Sequence, residues 1–309
     1  MRITTTYAFL VLLLSCGNVD PSTNASMPAD GHVSRPVDAQ QSCDPMAKFD
    51  TPIPVPGLEM IDGGPPRLSP DELTIYFFTG APTDLWTARR SALTEAFGTP
   101  TTMTAQNSPY DDADPTTTPD GLTLWFTSNR VINEGYHMYV AARPSGLAVF
   151  GAPGLAATVN ATDTKQWDIQ PSITSDNNEL WFASSRSGGM GSFDIWHAIW
   201  SGSGFGTPTA VSEINSSADD RMPTLSADQL TIYFSSTRAT IGTKGAADIW
   251  TSHRNSIHDK FSPPTLVNEL NTSGGDYAKW MSADNCRIYG LSYVNGPGRY
   301  FVAARQPQM

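Results

Sequence analysis

One short phrase, built on an aspartate, recurs five times along this 309-residue chain and constrains its fold more than any other feature. It runs Ser69-Pro70-Asp71, Thr118-Pro119-Asp120, Thr174-Ser175-Asp176, Ser226-Ala227-Asp228 and Ser282-Ala283-Asp284. Five residues after each Asp comes an aromatic pair: Tyr76-Phe77, Trp125-Phe126, Trp181-Phe182 and Tyr233-Phe234, ending in Tyr289-Gly290. The aspartates are spaced 49, 56, 52 and 56 residues apart. A second phrase follows each pair, at Asp84-Leu85-Trp86, His137-Met138-Tyr139, Asp194-Ile195-Trp196, Asp248-Ile249-Trp250 and Arg299-Tyr300-Phe301. A third closes the first four units, at Phe97-Gly98-Thr99-Pro100, Phe150-Gly151-Ala152-Pro153, Phe205-Gly206-Thr207-Pro208 and Phe261-Ser262-Pro263-Pro264.

Each unit thus holds four short strand-like runs divided by turn residues. Strand A precedes the Asp turn, B carries the aromatic pair, C the Asp-Ile-Trp phrase and D the Phe-Gly-Thr-Pro phrase. Such a sheet cannot bury both faces alone, so the units must pack around a ring. The expectation is an all-β, five-bladed β-propeller of four-stranded antiparallel blades. Only 25 residues follow Asp284, so the chain stops where the fifth strand D should begin. The missing phrase stands at the other end, as Phe49-Asp50-Thr51-Pro52. An N-terminal strand should therefore complete the last blade and remove the open sheet edge.

The phrases resemble the TolB-type, WD-repeat-like propeller repeats of bacterial envelope proteins, over nearly all of residues 49–305. The resemblance implies a binding module whose ligands approach the loop face or the channel.

The first fifteen residues carry one charge, Arg2, and an apolar run, Ala8 to Leu14, too short to span a bilayer. The run ends in Leu13-Leu14-Ser15-Cys16, which resembles the lipobox of bacterial lipoproteins. That resemblance implies cleavage before Cys16 and lipidation of its thiol, with the alternative of an ordinary secretory signal. Gly17, where a retained lipoprotein would carry Asp, favours the outer membrane, with the protein facing periplasm or cell surface. The expected organisation is a signal peptide over 1–15, a flexible tether over 16–42 and the propeller over 43–309. The tether is polar and rich in Ser, Pro and Asn. In an antiparallel meander the A–B and C–D turns share one end of the blade. Cys43 and Cys286 would meet there, and a disulfide between them would lock the ring; the alternative is two unpaired thiols.

A net charge of -11, from 19 basic and 30 acidic residues, excludes nucleic acid as a natural partner. No nucleophile elbow, zinc-protease motif, phosphate loop or Cys-x-x-Cys pair occurs, and the five histidines lack ligand spacing. No catalytic residue, cofactor or metal is expected, and the protein is expected to be a monomer.

Two groups of residues stand out as candidates. Asp112, Asp168, Asp220 and Asp276 lie eight residues before their turn aspartates, with Asp62 nine before in the first unit. As channel-mouth acids they would attract a cation or cationic peptide. Alternatively they order their own turns or pair with Arg130, Arg186 and Arg238. The second group departs from the repeat. Where three units carry Thr116, Ser172 and Thr224, the others carry Arg67 and Trp280. Lys279 replaces a Pro, and Tyr277 lies nearby. Arg67, Trp280, Lys279 and Tyr277 are candidate ligand-binding residues for an anion or sugar, or else mark the seam of the ring. Trp86, Tyr139, Trp196 and Trp250, at equal repeat positions, read as packing between blades.

The expected function is a lipid-anchored module that binds an envelope protein, peptide or glycan. The competing reading is a glycoside hydrolase, since five-bladed propellers include such enzymes, although Asp62 to Asp276 show no asymmetry of acid and base. A structural spacer is the third.

Overall fold

A computed structural model describes residues 43–306 except 132, 147 and 295. The expectations for the signal peptide, Cys16 and the tether lie outside these described residues. Within them the chain forms strands only, and no helix is long and apolar enough to cross a membrane.

After β1 (Ile53–Pro54), four blades follow in order. Blade one is β2 (Gly63–Leu68), β3 (Thr74–Thr79), β4 (Asp84–Arg89) and β5 (Thr101–Thr102). Blade two is β6 (Asp112–Thr117), β7 (Thr123–Ser128), β8 (His137–Ala142) and β9 (Gly154–Leu155). Blade three is β10 (Asp168–Ile173), β11 (Glu179–Ser184), β12 (Asp194–Ile199) and β13 (Thr209–Ala210). Blade four is β14 (Asp220–Leu225), β15 (Thr231–Ser236), β16 (Asp248–His253) and β17 (Thr265–Leu266). Blade five takes β18 (Asp276–Met281), β19 (Arg287–Ser292) and β20 (Arg299–Ala304), and β1 pairs with β20 as its outer strand. The ring is the expected five-bladed propeller, closed by its N-terminal strand. The Phe-Gly-Thr-Pro phrase is not itself strand D: the outer strand is the two residues that follow it, because proline gives no amide to the ladder.

The repeat phrases have separate physical jobs. In the A–B turn the Ser or Thr hydroxyl donates to the Asp carboxylate at 2.5–2.6 Å in the first four copies. The same carboxylate accepts the amide two residues on, in all five blades. The hydroxyls of Ser69, Thr118, Thr174, Ser226 and Ser282 therefore close their turns.

The aromatic pair uses the period-two alternation of a strand. Its first ring packs toward the next blade and its second toward the previous one. Tyr76 joins Leu124, Phe126 and Tyr139 of blade two, whereas Phe77 joins Tyr289, Leu291 and Tyr300 of blade five. Trp181 likewise meets Ile232, Phe234 and Trp250 of blade four. Each gap between sheets thus receives apolar side chains from both walls. Phe77, Phe126, Phe182 and Phe234 are fully buried.

At the seam, Phe49 packs with Tyr233, Ile288 and Phe301, and Arg305 lies 4.2 Å over its ring. Cys43 and Cys286 are joined as a disulfide with Cα atoms 5.6 Å apart. The bond ties the entering chain to the A–B turn of blade five.

Candidate functional site

The innermost strands β2, β6, β10, β14 and β18 each carry a register shift against their B strands. In three of them the third residue sits at positive φ: Asp114 at 52°, Gln170 at 62° and Met222 at 57°. This bulge re-aims a side chain and disrupts the ladder locally. Two contacts then join blades that are not neighbours. Lys279 Nζ of blade five meets Asp114 Oδ1 of blade two at 3.4 Å, and Arg67 Nη2 of blade one donates to Pro223 O of blade four at 3.0 Å. Both cross the axis, leaving one mouth on each side.

The upper mouth lies where strand D hands over to strand A and where the B–C loops gather. Its main cavity is about 570 Å³, walled by blades one, four and five. A further 250 Å³ adjoins it against blades one to three and shares Phe78 and Thr83 with it. Aromatic rings frame both parts. Tyr136 and Trp167 lie 4.7 Å apart between ring centroids, Trp167 and Phe193 6.0 Å. The Arg221 guanidinium sits 3.8 Å over Phe193, and Tyr277 and Tyr293 meet edge-on at 6.0 Å. Trp167 and Tyr293 are each 40% exposed.

Between the rings stand carboxylates. Asp111 accepts Tyr136 Oη at 2.6 Å and the Thr83 amide at 2.9 Å, which holds its carboxyl below the usual range. Burial, with the hydrogen bond to Asp111 and its charge, pushes the Tyr136 phenol up in turn. Asp219 pairs with Arg221 at 2.7 Å, and Asp62 accepts the Gly298 amide at 3.2 Å.

The acids expected at the mouth separate into two sets. Asp112, Asp168, Asp220 and Asp276 are completely buried. One oxygen of each accepts a loop amide at 2.6 Å, from Ser108, Ala161, Ser216 and Thr272. The other oxygen meets Arg130, Arg186 or Arg238 at 2.5–2.6 Å in blades two to four. These arginines also reach carbonyls of the connection from the preceding blade, at Gln106, Val159 and Ile214. The four are clasps between connection and sheet, sealed from any ligand.

Asp62 belongs elsewhere. It precedes β2 as Asp111 precedes β6 and Asp219 precedes β14; these three stand in the upper mouth, with the buried Asp114 also lining its smaller part. One residue along a strand reverses the face. The doublets Asp111-Asp112 and Asp219-Asp220 were the sequence signal for both sets.

The ligand-binding candidates also fall apart. Tyr277 lines the upper mouth, Arg67 and Trp280 line the lower, and Lys279 is fully buried between them. The four share no single cavity, because Tyr277 stands near the start of β18, at the upper end, and Trp280 near its other end. Burial pulls Lys279 down to about 7 and Arg67 to about 9, each countered by Asp114. Among the described residues no group of three or more His, Cys, Asp or Glu side chains is placed to hold a metal ion.

No protein-family model and no curated protein matches the chain. Solved structures do resemble it. A thermostable family-43 glycoside hydrolase superposes with a TM-score of 0.54 at 14% identity, covering 84% of this chain and 98% of that one. An α-L-arabinofuranosidase from Podospora anserina in complex with cellotriose gives 0.53 at 13%, covering 86% and 99%. TolB from Acinetobacter baumannii gives 0.47 at 15% over 80% of this chain, which spans 56% of the TolB structure. At these identities the likeness to the two hydrolases shows a shared fold alone.

Proposed function

We propose that the protein is a glycan-binding propeller whose ligand occupies the upper mouth. The observation that carries this is the set of partly exposed aromatic rings, Trp167 and Tyr293 foremost, lining the mouth together with the carboxylates of Asp62, Asp111 and Asp219. A sugar ring offers a C–H face that packs on an aromatic plane, and hydroxyls that donate to carboxylates. A concave, largely apolar site with a few fixed polar groups is the form such recognition takes.

Hydrolysis is the second reading, supported by the carboxylates of Asp62, Asp111, Asp114 and Asp219 reaching the upper mouth from three blades. It needs a proton donor beside a base or nucleophile. Asp111 is held ionised, Asp219 is committed to Arg221 and Asp114 to Lys279, and no glutamate lines the mouth. That distribution supports binding without turnover.

Titration calorimetry against a panel of neutral oligosaccharides, with reducing-end assay of the same mixtures, tests both. Binding that Trp167→Ala and Tyr293→Ala each weaken about tenfold, with no new reducing ends, supports the proposal. Product release abolished by Asp219→Asn would make it an enzyme, and no binding to any glycan would overturn both. The sequence around Cys16 further supports display of the module from a lipid anchor on the outer membrane. Metabolic labelling with a palmitate analogue, lost in Cys16→Ser, checks that.

A further inference from the structure

The lower mouth has the opposite chemistry. Its cavity of about 200 Å³ is lined by all five blades at the A–B turn end, and no acidic residue contributes to it. At one register position of the innermost strands stand Arg67, Thr116, Ser172, Thr224 and Trp280. The first four are 3–4% exposed, so they are deeply set in the fold. Among the described residues the hydroxyls of Thr116, Ser172 and Thr224 and the Trp280 indole N–H have no hydrogen-bond partner and are not sealed away, so they face the cavity. Arg67 uses one donor, on Pro223 O, and its buried Nε has no partner. Buried donors are normally satisfied, and a guanidinium left this bare is costly.

Charge points the same way. The axis holds Arg67 and Lys279 against the single carboxylate of Asp114. Below about pH 7, where Lys279 is protonated, one positive charge is in excess in a low-dielectric interior, inside a chain of net charge -11. A ring of donors around one uncompensated cation, with no acceptor facing it, is complementary to a monoanion.

We propose that the lower mouth binds a carboxylate group, held by Arg67 with the hydroxyls of Thr116, Ser172 and Thr224 around it and the Trp280 indole as its apolar wall. A planar carboxylate matches the guanidinium fork, and one negative charge balances the axis, whereas a dianion overshoots it. The site is separate from the upper mouth and independent of what binds there.

Two sources offer this chemistry: a free small carboxylic acid, or the carboxy terminus of a peptide entering the mouth. Calorimetry on the whole propeller, slightly below neutral pH, uses acetate, sulfate, and one tripeptide with either a free or an amidated terminus as probes. Acetate and the free-acid peptide are expected to bind and the amidated peptide not to. Binding of acetate alone assigns the site to a small acid; tighter binding of the peptide assigns it to a chain terminus. Arg67→Met is expected to weaken both by at least about tenfold, and Thr224→Val by roughly threefold with every charge left in place. The Thr224→Val variant keeps the test valid if loss of Arg67 impairs folding. The proposal is overturned if acetate and the free-acid peptide both fail to bind at roughly 10 mM. Sulfate binding more tightly than acetate, or equal binding of the amidated peptide, would also overturn it.

Discussion

Asp168→Asn tests the clasp, and its cost follows from what the carboxylate holds. Asp168 is fully buried and accepts Ala161 N at 2.6 Å, Ser184 Oγ at 2.6 Å and Arg186 Nη2 at 2.5 Å. The amide keeps the shape but removes the charge, and it turns a donor toward groups that are themselves donors. Breaking a buried ion pair costs about 3–5 kcal/mol, and the unpaired charge left behind accounts for much of it. Here Arg186 keeps Val159 O and Ser184 Oγ, so the lower half of that range applies, about 3–4 kcal/mol. For a domain of this size each kcal/mol lowers Tm by about 2–4 °C, giving a fall of roughly 6–16 °C. Urea and thermal denaturation of the wild type, Asp168→Asn and Asp62→Asn provide the comparison. Asp62 is exposed and accepts one longer hydrogen bond through its side chain, so its substitution is expected to cost under about 0.5 kcal/mol. The double variant Asp168→Asn, Arg186→Met, which removes the stranded charge, is expected to recover part of the loss. Equal costs at Asp62 and Asp168, or a cost at Asp168 below about 1 kcal/mol, would refute the division of the acids into clasps and mouth residues.

Lys279 titrates near 7 in the fold and near 10.5 when unfolded, lowered by burial and the Arg67 charge against the pull of Asp114. Between these values the unfolded chain binds more protons. Stability should therefore rise with pH across this window, by at most about 1.4 kcal/mol per pH unit. Lys279→Met should flatten the rise, read by urea melts from pH 7 to pH 10. Reducing Cys43–Cys286 opens a closure of 243 residues and is expected to cost about 2–5 kcal/mol, measured by melting with and without a thiol reductant. Phe49→Ala removes the ring that seals the seam, at about 3–5 kcal/mol, with limited proteolysis expected to begin near residue 50.

The ring was legible because its phrases do local work. A Ser-x-Asp turn and an aromatic pair need only their own hairpin and the neighbouring wall, so each blade repeats them. Closure was legible from Phe49, the one copy of its phrase found out of order. The site was legible only in part. Blade one puts Gly63 where the others put the clasp Asp, because a side chain there would collide with Phe78 O at 2.3 Å and the Tyr300 hydroxyl at 2.6 Å. That substitution led the count to Asp62, one residue and one face away. Arg67 and Lys279 stood out as departures, but their partners Pro223 and Asp114 lie across the axis, where no spacing rule reaches. Trp167, Phe193 and Tyr293 belong to connections outside the repeated phrases, so the periodic search passed over the aromatic mouth.

The disulfide at Cys43 also gives the molecule a polarity. It fixes the point where the chain enters the ring to the A–B turn side of blade five, the side of the lower mouth. Whatever is attached ahead of Cys43 pulls on that rim, and the covalent bond passes the force into β18 and β19 without peeling β1 from β20.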